Sequence, residues 1–198
     1  IFYWNGYKII QITDNDYDDF NSRISKQDLV WEGFDGTNWD IYYRHKNTIT
    51  NISHNGFDHF EPRIKKGKVT WHGGSEDGSD DEIFYYNGTN TIQITHNDYN
   101  DWFPPEIFNT MITWQGYDGT DSEIYYWDET DPIIRALSDN SEEDAFPRIS
   151  DGGIVWKYRE NPFNWEIMYW NGTDIIQLTD NESFDDRQDI DKESIVWR

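Results

Sequence analysis

Apolar and aromatic residues fall along this chain in short runs, broken by polar clusters rich in Gly, Asn and Asp. One stretch shows the form: "FPRIS" (146–150), "GGIVWKY" (152–158), "WEIMYW" (165–170) and "DIIQLTD" (174–180). Runs of this length and composition, with turn residues between them, predict β-strands joined as hairpins. "NG" follows the third run of its unit at Asn5-Gly6, Asn87-Gly88 and Asn171-Gly172, and predicts tight turns with positive φ.

The phrase repeats. A tryptophan after an apolar pair recurs at Trp31, Trp71, Trp114, Trp156 and Trp197, with spacings of 40, 43, 42 and 41. Ile24, Ile64, Ile107, Ile149 and Ile190 keep the same spacings seven residues upstream. A third ladder runs "IFYW", "IYYR", "IFYY", "IYYW" and "IMYW" from Ile1, Ile41, Ile83, Ile124 and Ile167. Four short strands in a unit of about 40 residues predict a propeller blade. A β-helix needs shorter repeats, and a sandwich does not need such regular ladders. The Trp ladder, at one fixed site per unit, is expected to pack between neighbouring sheets.

The order within the phrase resembles the TolB-type propeller repeat, a WD-like family. "DAFPRISDGGIVW", "EIMYW" and "IIQLTD" carry the likeness, with "FEPRI", "QIT" and "EIYYW" in other units. The last unit departs from it in "DRQDID", which lacks the proline. Three ladders of five rungs each predict an all-β, five-bladed propeller occupying 1–198 as a single domain, with four antiparallel strands per blade, and the resemblance agrees with that architecture. Strands are lettered A (innermost) to D (outermost). The chain then starts at strands C and D of one blade and ends on A and B. The expectation is a shared blade (2+2 closure), in which "RQDID" and "SIVWR" pair with "IFYW" and "KIIQIT".

Composition narrows the partners. Trp, Tyr and Phe number 11, 13 and 11, against two alanines, Ala136 and Ala145, a balance that favours pleated surfaces over helices. The formal net charge of −23 repels phosphate, which argues against nucleic acid and anionic membranes. No apolar run approaches the length of a membrane span. Cysteine is absent, so there is no disulfide framework, thiolate metal site or Cys nucleophile. No Ser-His-Asp order, nucleotide-binding glycine loop or HExxH motif is present. His54 and His96 stand where other units carry Asp14, Asp139 and Asp180, and are expected to be turn residues.

Propeller connectivity sorts the loops onto two faces. The D–A loops ("TDNDYDDF", "SHNGFDHF", "THNDYNDW", "SDNSEEDAF", "TDNESFDDR") and the B–C loops ("SEDGSDDE", "YDGTDSE") are acidic. The opposite turns hold Lys26, Lys46, Lys65, Lys66, Lys68 and Lys192. Asp18, Asp58, Asp101, Asp144 and Asp185 precede the innermost strands and are expected to converge on the axis. Like charges there must be neutralised. Calcium, which suits an all-oxygen set, is one candidate; turn capping with pairing to Arg23, Arg63 and Arg148 is the other. The TolB-type resemblance implies a non-catalytic, monomeric interaction module in an extracellular or periplasmic setting. A protein or peptide with a basic surface would dock on the acidic face through Asp16, Asp98, Asp118 and Asp121, with Tyr17 and Tyr99. A carbohydrate-binding propeller is the alternative, since Tyr17, Phe57, Tyr99 and Phe184 recur beside carboxylates with Trp39 and Trp165, though the same rings could pin their loops. A glycoside hydrolase fits less well, because short loops leave little room for a cleft.

Overall fold

The computed structural model describes residues 1–75, 77–101 and 103–198. It holds twenty strands, with no helix among the described residues. The first complete sheet comprises β3 (Asp19–Ser25), β4 (Asp28–Phe34), β5 (Trp39–His45) and β6 (Thr48–Asn51). The second comprises β7 (His59–Lys65), β8 (Lys68–Gly74), β9 (Asp81–Tyr86) and β10 (Thr91–Gln93). The third runs β11 (Glu106–Phe108), β12 (Met111–Tyr117), β13 (Ser122–Asp128) and β14 (Asp131–Ala136). The fourth runs β15 (Asp144–Ser150), β16 (Gly153–Asn161), β17 (Asn164–Trp170) and β18 (Ile175–Gln177). Each is an antiparallel meander in chain order. Two half-sheets flank them: β1 (Phe2–Trp4) with β2 (Ile9–Gln11), and β19 (Asp189–Asp191) with β20 (Ser194–Val196).

The turns follow their chemistry. Gly6, Gly88 and Gly172 have φ of 96°, 100° and 98°, and the preceding Asn side chains accept backbone N–H bonds from two and three residues on. Strands β3, β7 and β15 each open with a bulge, marked by positive φ at Asn21, Glu61 and Phe146.

The core lies between successive sheets. Trp71 packs with Val30, Ile41 and Tyr43 of the first sheet, Trp114 with Ile83 and Tyr85 of the second, and Trp156 with Ile124 and Leu137 of the third. Trp31, Trp71 and Trp114 also stack on the ring opposite in the next strand, Tyr42, Phe84 and Tyr125. Burying one such ring stabilises by roughly 3–5 kcal/mol relative to alanine.

The expected 2+2 closure is not what the chain adopts. Each half-sheet remains a separate pair of strands, and no backbone hydrogen bond joins the two among the described residues. Each is held instead by its own neighbour. Ile190 and Ile195 pack on Val155 and Ile167 of the fourth sheet, and the amino terminus pairs with Asp19 of the first sheet at 4.0 Å. These anchors are local. The angle between successive sheets, rather than the number of repeats, decides whether the ends meet. Trp197 is consequently 42% exposed, while its four counterparts are 0–1% exposed.

Candidate functional site

The B–C and D–A loops lie together at one end of the sheets. Backbone bonds tie them: Phe34 N–H donates to Asp18 C=O, and Gly74 N–H to Asp58 C=O. Across neighbouring sheets, Asn38 donates its amide to Gly56 C=O, and Asp101 N–H bonds Asp81 C=O.

An asparagine missed at the level of sequence organises four of the five D–A loops. Asn55, Asn97, Asn140 and Asn181 each accept the N–H two residues on, and each reaches the residue four on. That residue is His59, Asp101, Asp144 or Asp185. The signal was present as a ladder in "TDN", "SHN", "THN", "SDN" and "TDN". The residue four on then receives the indole N–H of strand B: Trp31 donates to Asp19 at 3.0 Å, Trp71 to His59 Nδ1 at 3.0 Å, and Trp156 to Asp144. The Trp114 indole holds Asp101 in the same way. Burial pushes the Asp101 carboxyl up to about 6 and Asp144 to about 7, although their hydrogen bonds oppose it. Burial also holds the His59 imidazole down at about 4.

These contacts redefine the expected axial ring. Asp101, Asp144 and Asp185 are buried, while Asp18 and Asp58 are exposed and one residue out of step with the ladder. Asp58 accepts the Trp39 N–H. Among the described residues the five form no close carboxylate cluster. The inner-strand charges pair among themselves, with Glu106 accepting from both Arg63 and Arg148.

Asp16, Asp98 and Asp118 are exposed on the loop face. Asp118 also closes its turn by accepting from Thr120 and Asp121 N–H. Asp121 differs, because both of its carboxylate oxygens are buried. Tyr17 and Tyr99 lie edge-on to Phe34 and Tyr117 and cover Gly36 and Gly119, whose φ values are 101° and 105°. These rings pin the loops. A cavity of about 470 Å³ opens beside Tyr99, lined by Tyr117, Tyr125 and Ile134. On the opposite face three of the lysines are engaged: Lys68 pairs with Glu129, Lys66 donates to Asn109, and Lys65 lies over Phe108. Two loop clusters bring three metal-ligating groups together, Asp35 with Asp40 and His54, and Asp118 with Asp121 and Glu123. His54 is therefore beside carboxylates rather than a bare turn residue.

No family model matches the sequence, and no curated protein does. Solved structures match at the level of fold. The β-propeller domain of the Trilobed protease from Pyrococcus furiosus, described as having an open velcro topology, superimposes with a TM-score of 0.63 at 14% identity, over 89% of this chain and 55% of that one. TolB from Acinetobacter baumannii gives 0.60 at 14%, over 91% and 49%. An acylaminoacyl peptidase from Pyrococcus horikoshii gives 0.61 at 14%, over 81% and 27%. The chain thus spans about half the length of the first two and about a quarter of the third. Its fold is that of the β-propeller, as the TolB-type repeat resemblance implied. No helix among the described residues is long and apolar enough to cross a membrane.

Proposed function

We propose that the chain is a non-catalytic interaction module whose acidic loop face docks a protein or peptide with a basic surface. The observation that carries this is the placement of charge. Asp16, Asp98 and Asp118 stand exposed at the end formed by the D–A and B–C loops, while lysines on the opposite turns are engaged with Glu129, Asn109 and Phe108. A concentrated field of one sign speeds encounter with the other sign and is screened over roughly 8–10 Å at physiological salt. The propellers of TolB and of peptidases share the fold, and in this proposal the chain uses it for docking. The test is association with an oligolysine peptide from about 50 to 500 mM salt, a range that spans weak to strong screening. Steep weakening is expected, with slower association for Asp16→Asn and Asp98→Asn. A salt-independent signal, or none at low salt, overturns the proposal.

A carbohydrate-binding module is the second reading, favoured by the aromatic-lined cavity beside Tyr99 and Asp118. Neutral sugars bind by stacking and hydrogen bonding, so affinity for a glycan would be indifferent to salt and lost in Tyr99→Ala.

A further inference from the structure

The B–C loop of the third sheet reads Tyr117-Asp118-Gly119-Thr120-Asp121-Ser122-Glu123. Carboxylate oxygens of Asp118, Asp121 and Glu123 all lie within 4.8 Å of one another. Glu123 is 1% exposed; its Oε1 accepts the Asn140 N–H at 2.8 Å, and its Oε2 has no hydrogen-bond partner. Both oxygens of Asp121 are likewise buried without a partner. None of the ion pairs among the described residues includes any of the three. Buried carboxylate oxygens without donors are costly, and each such group calls for a cause.

Sister loops satisfy the same position to different degrees. In the first sheet Asp40 replaces Glu123, and its two oxygens accept from Ser53 at 3.0 Å and Asn51 at 2.7 Å. The strand-D position of Asn51 is occupied by Ala136 in the third sheet, which has no amide to offer. In the fourth sheet Asn164 replaces Asp121 and donates to Glu166 Oε1 at 2.7 Å, while Glu166 Oε2 stays without a partner. In the second, Asp80 and Glu82 each keep a partnerless oxygen, but Asp77 is bound by the hydroxyls of Ser75 and Ser79. Only the third loop, among those described, sets an aspartate with both oxygens buried and unpartnered, Asp121, within 4.8 Å of two further carboxylates.

We propose that Asp118, Asp121 and Glu123 form a divalent-cation site of the calcium type in the third B–C loop. The donors are all carboxylate oxygens, which suit a hard cation. A calcium ion takes oxygens at about 2.3–2.6 Å, so its ligands stand no more than about 5 Å apart, a limit that these three groups meet. The exposed side of the loop leaves room for water ligands, and the ion would supply the missing partner of Glu123 Oε2 and Asp121. This site is separate from the axial ring considered above, and it does not rest on the docking proposal.

The test is calorimetric titration of calcium chloride into the chelator-treated full chain at neutral pH. A saturable site with a dissociation constant of about 10⁻⁶ to 10⁻³ M is expected. Asp121→Asn and Glu123→Gln should each weaken it tenfold or more, whereas Asp35→Asn in the first sheet should leave it unchanged. Circular dichroism checks that each variant folds. For the unmodified chain, the melting midpoint should rise in calcium relative to EDTA. No saturable binding up to about 10 mM, a concentration above the weakest extracellular sites, overturns the proposal. So does binding that survives both substitutions, or a melting midpoint that calcium leaves unmoved.

Discussion

At the scale of residues, the acceptor of each strand-B indole is one position with two chemistries. It is His59 in the second sheet and Asp101 in the third. Trp71 donates to His59 Nδ1, so the ring carries its proton on Nε2, which donates to Asn55 Oδ1. His59, held at about 4 folded against 6.5 unfolded, contributes stability that is fully present above 6.5 and lost as pH falls through 4. Asp101, raised to about 6 from 3.8, contributes stability that is fully present below 3.8 and lost as pH rises through 6. The two oppose each other across the same window, each by roughly 3 kcal/mol at about 1.4 kcal/mol per pH unit of displacement. Single variants separate them. Asp101→Asn, which keeps an oxygen for Trp114, should make stability fall more steeply on acidification from pH 6.5 to 4. His59→Asn should make it fall less steeply, or rise. Urea midpoints at several pH values measure both, and parallel profiles for the two variants would contradict the assignment.

At the scale of elements, the C-terminal half-sheet is joined to the fourth sheet through a narrow backbone contact. Ser150 Oγ donates to Lys192 C=O at 3.1 Å, and a Cβ added at Gly152 would stand 1.7 Å from that same oxygen. Backbone on both sides leaves no rotamer to relieve the clash. Gly152→Ala should therefore lift β19 and β20 away while sparing the first three sheets. Hydrogen exchange would show faster exchange confined to residues 189–196, and uniform protection would refute the contact. Much at this scale was legible in the sequence: the ladders of Trp31 to Trp197 and Ile24 to Ile190 report burial at fixed sites, and burial selects residue type strongly. The loop chemistry was less so. Counting back from strand A picked Asp18 and Asp58 rather than Asp19 and His59, because polar residues stand side by side at 18–19 and 58–59, and composition does not reveal which one turns inward to the indole. The convergence of Asp118, Asp121 and Glu123 was hidden for another reason. Acidic loops look alike until burial shows which oxygens lack donors.

At the scale of the whole molecule, five matching repeats do not by themselves make a closed ring. Repeat period fixes what each sheet is; closure depends on the angle between sheets, which the ladders do not encode. Trp197 has the sequence context of Trp156, yet no strand C lies beside β20 to cover it, as Met168 of β17 faces Trp156. That difference sets the expected cost of deleting Ser194–Arg198. Only Ile195 of this segment is half-buried, packed with Val155, Ile167 and Ile190; Val196 and Trp197 are open to solvent. Half-burial of one aliphatic side chain is worth about 1–2 kcal/mol, against about 3–5 kcal/mol for a tryptophan sealed between sheets. The truncated chain should thus lose only about 1–2 kcal/mol in urea denaturation, and acrylamide should quench part of the tryptophan emission of the intact chain. A loss of about 4 kcal/mol or more, with Trp197 shielded from quencher, would mean that the two half-sheets mate in solution.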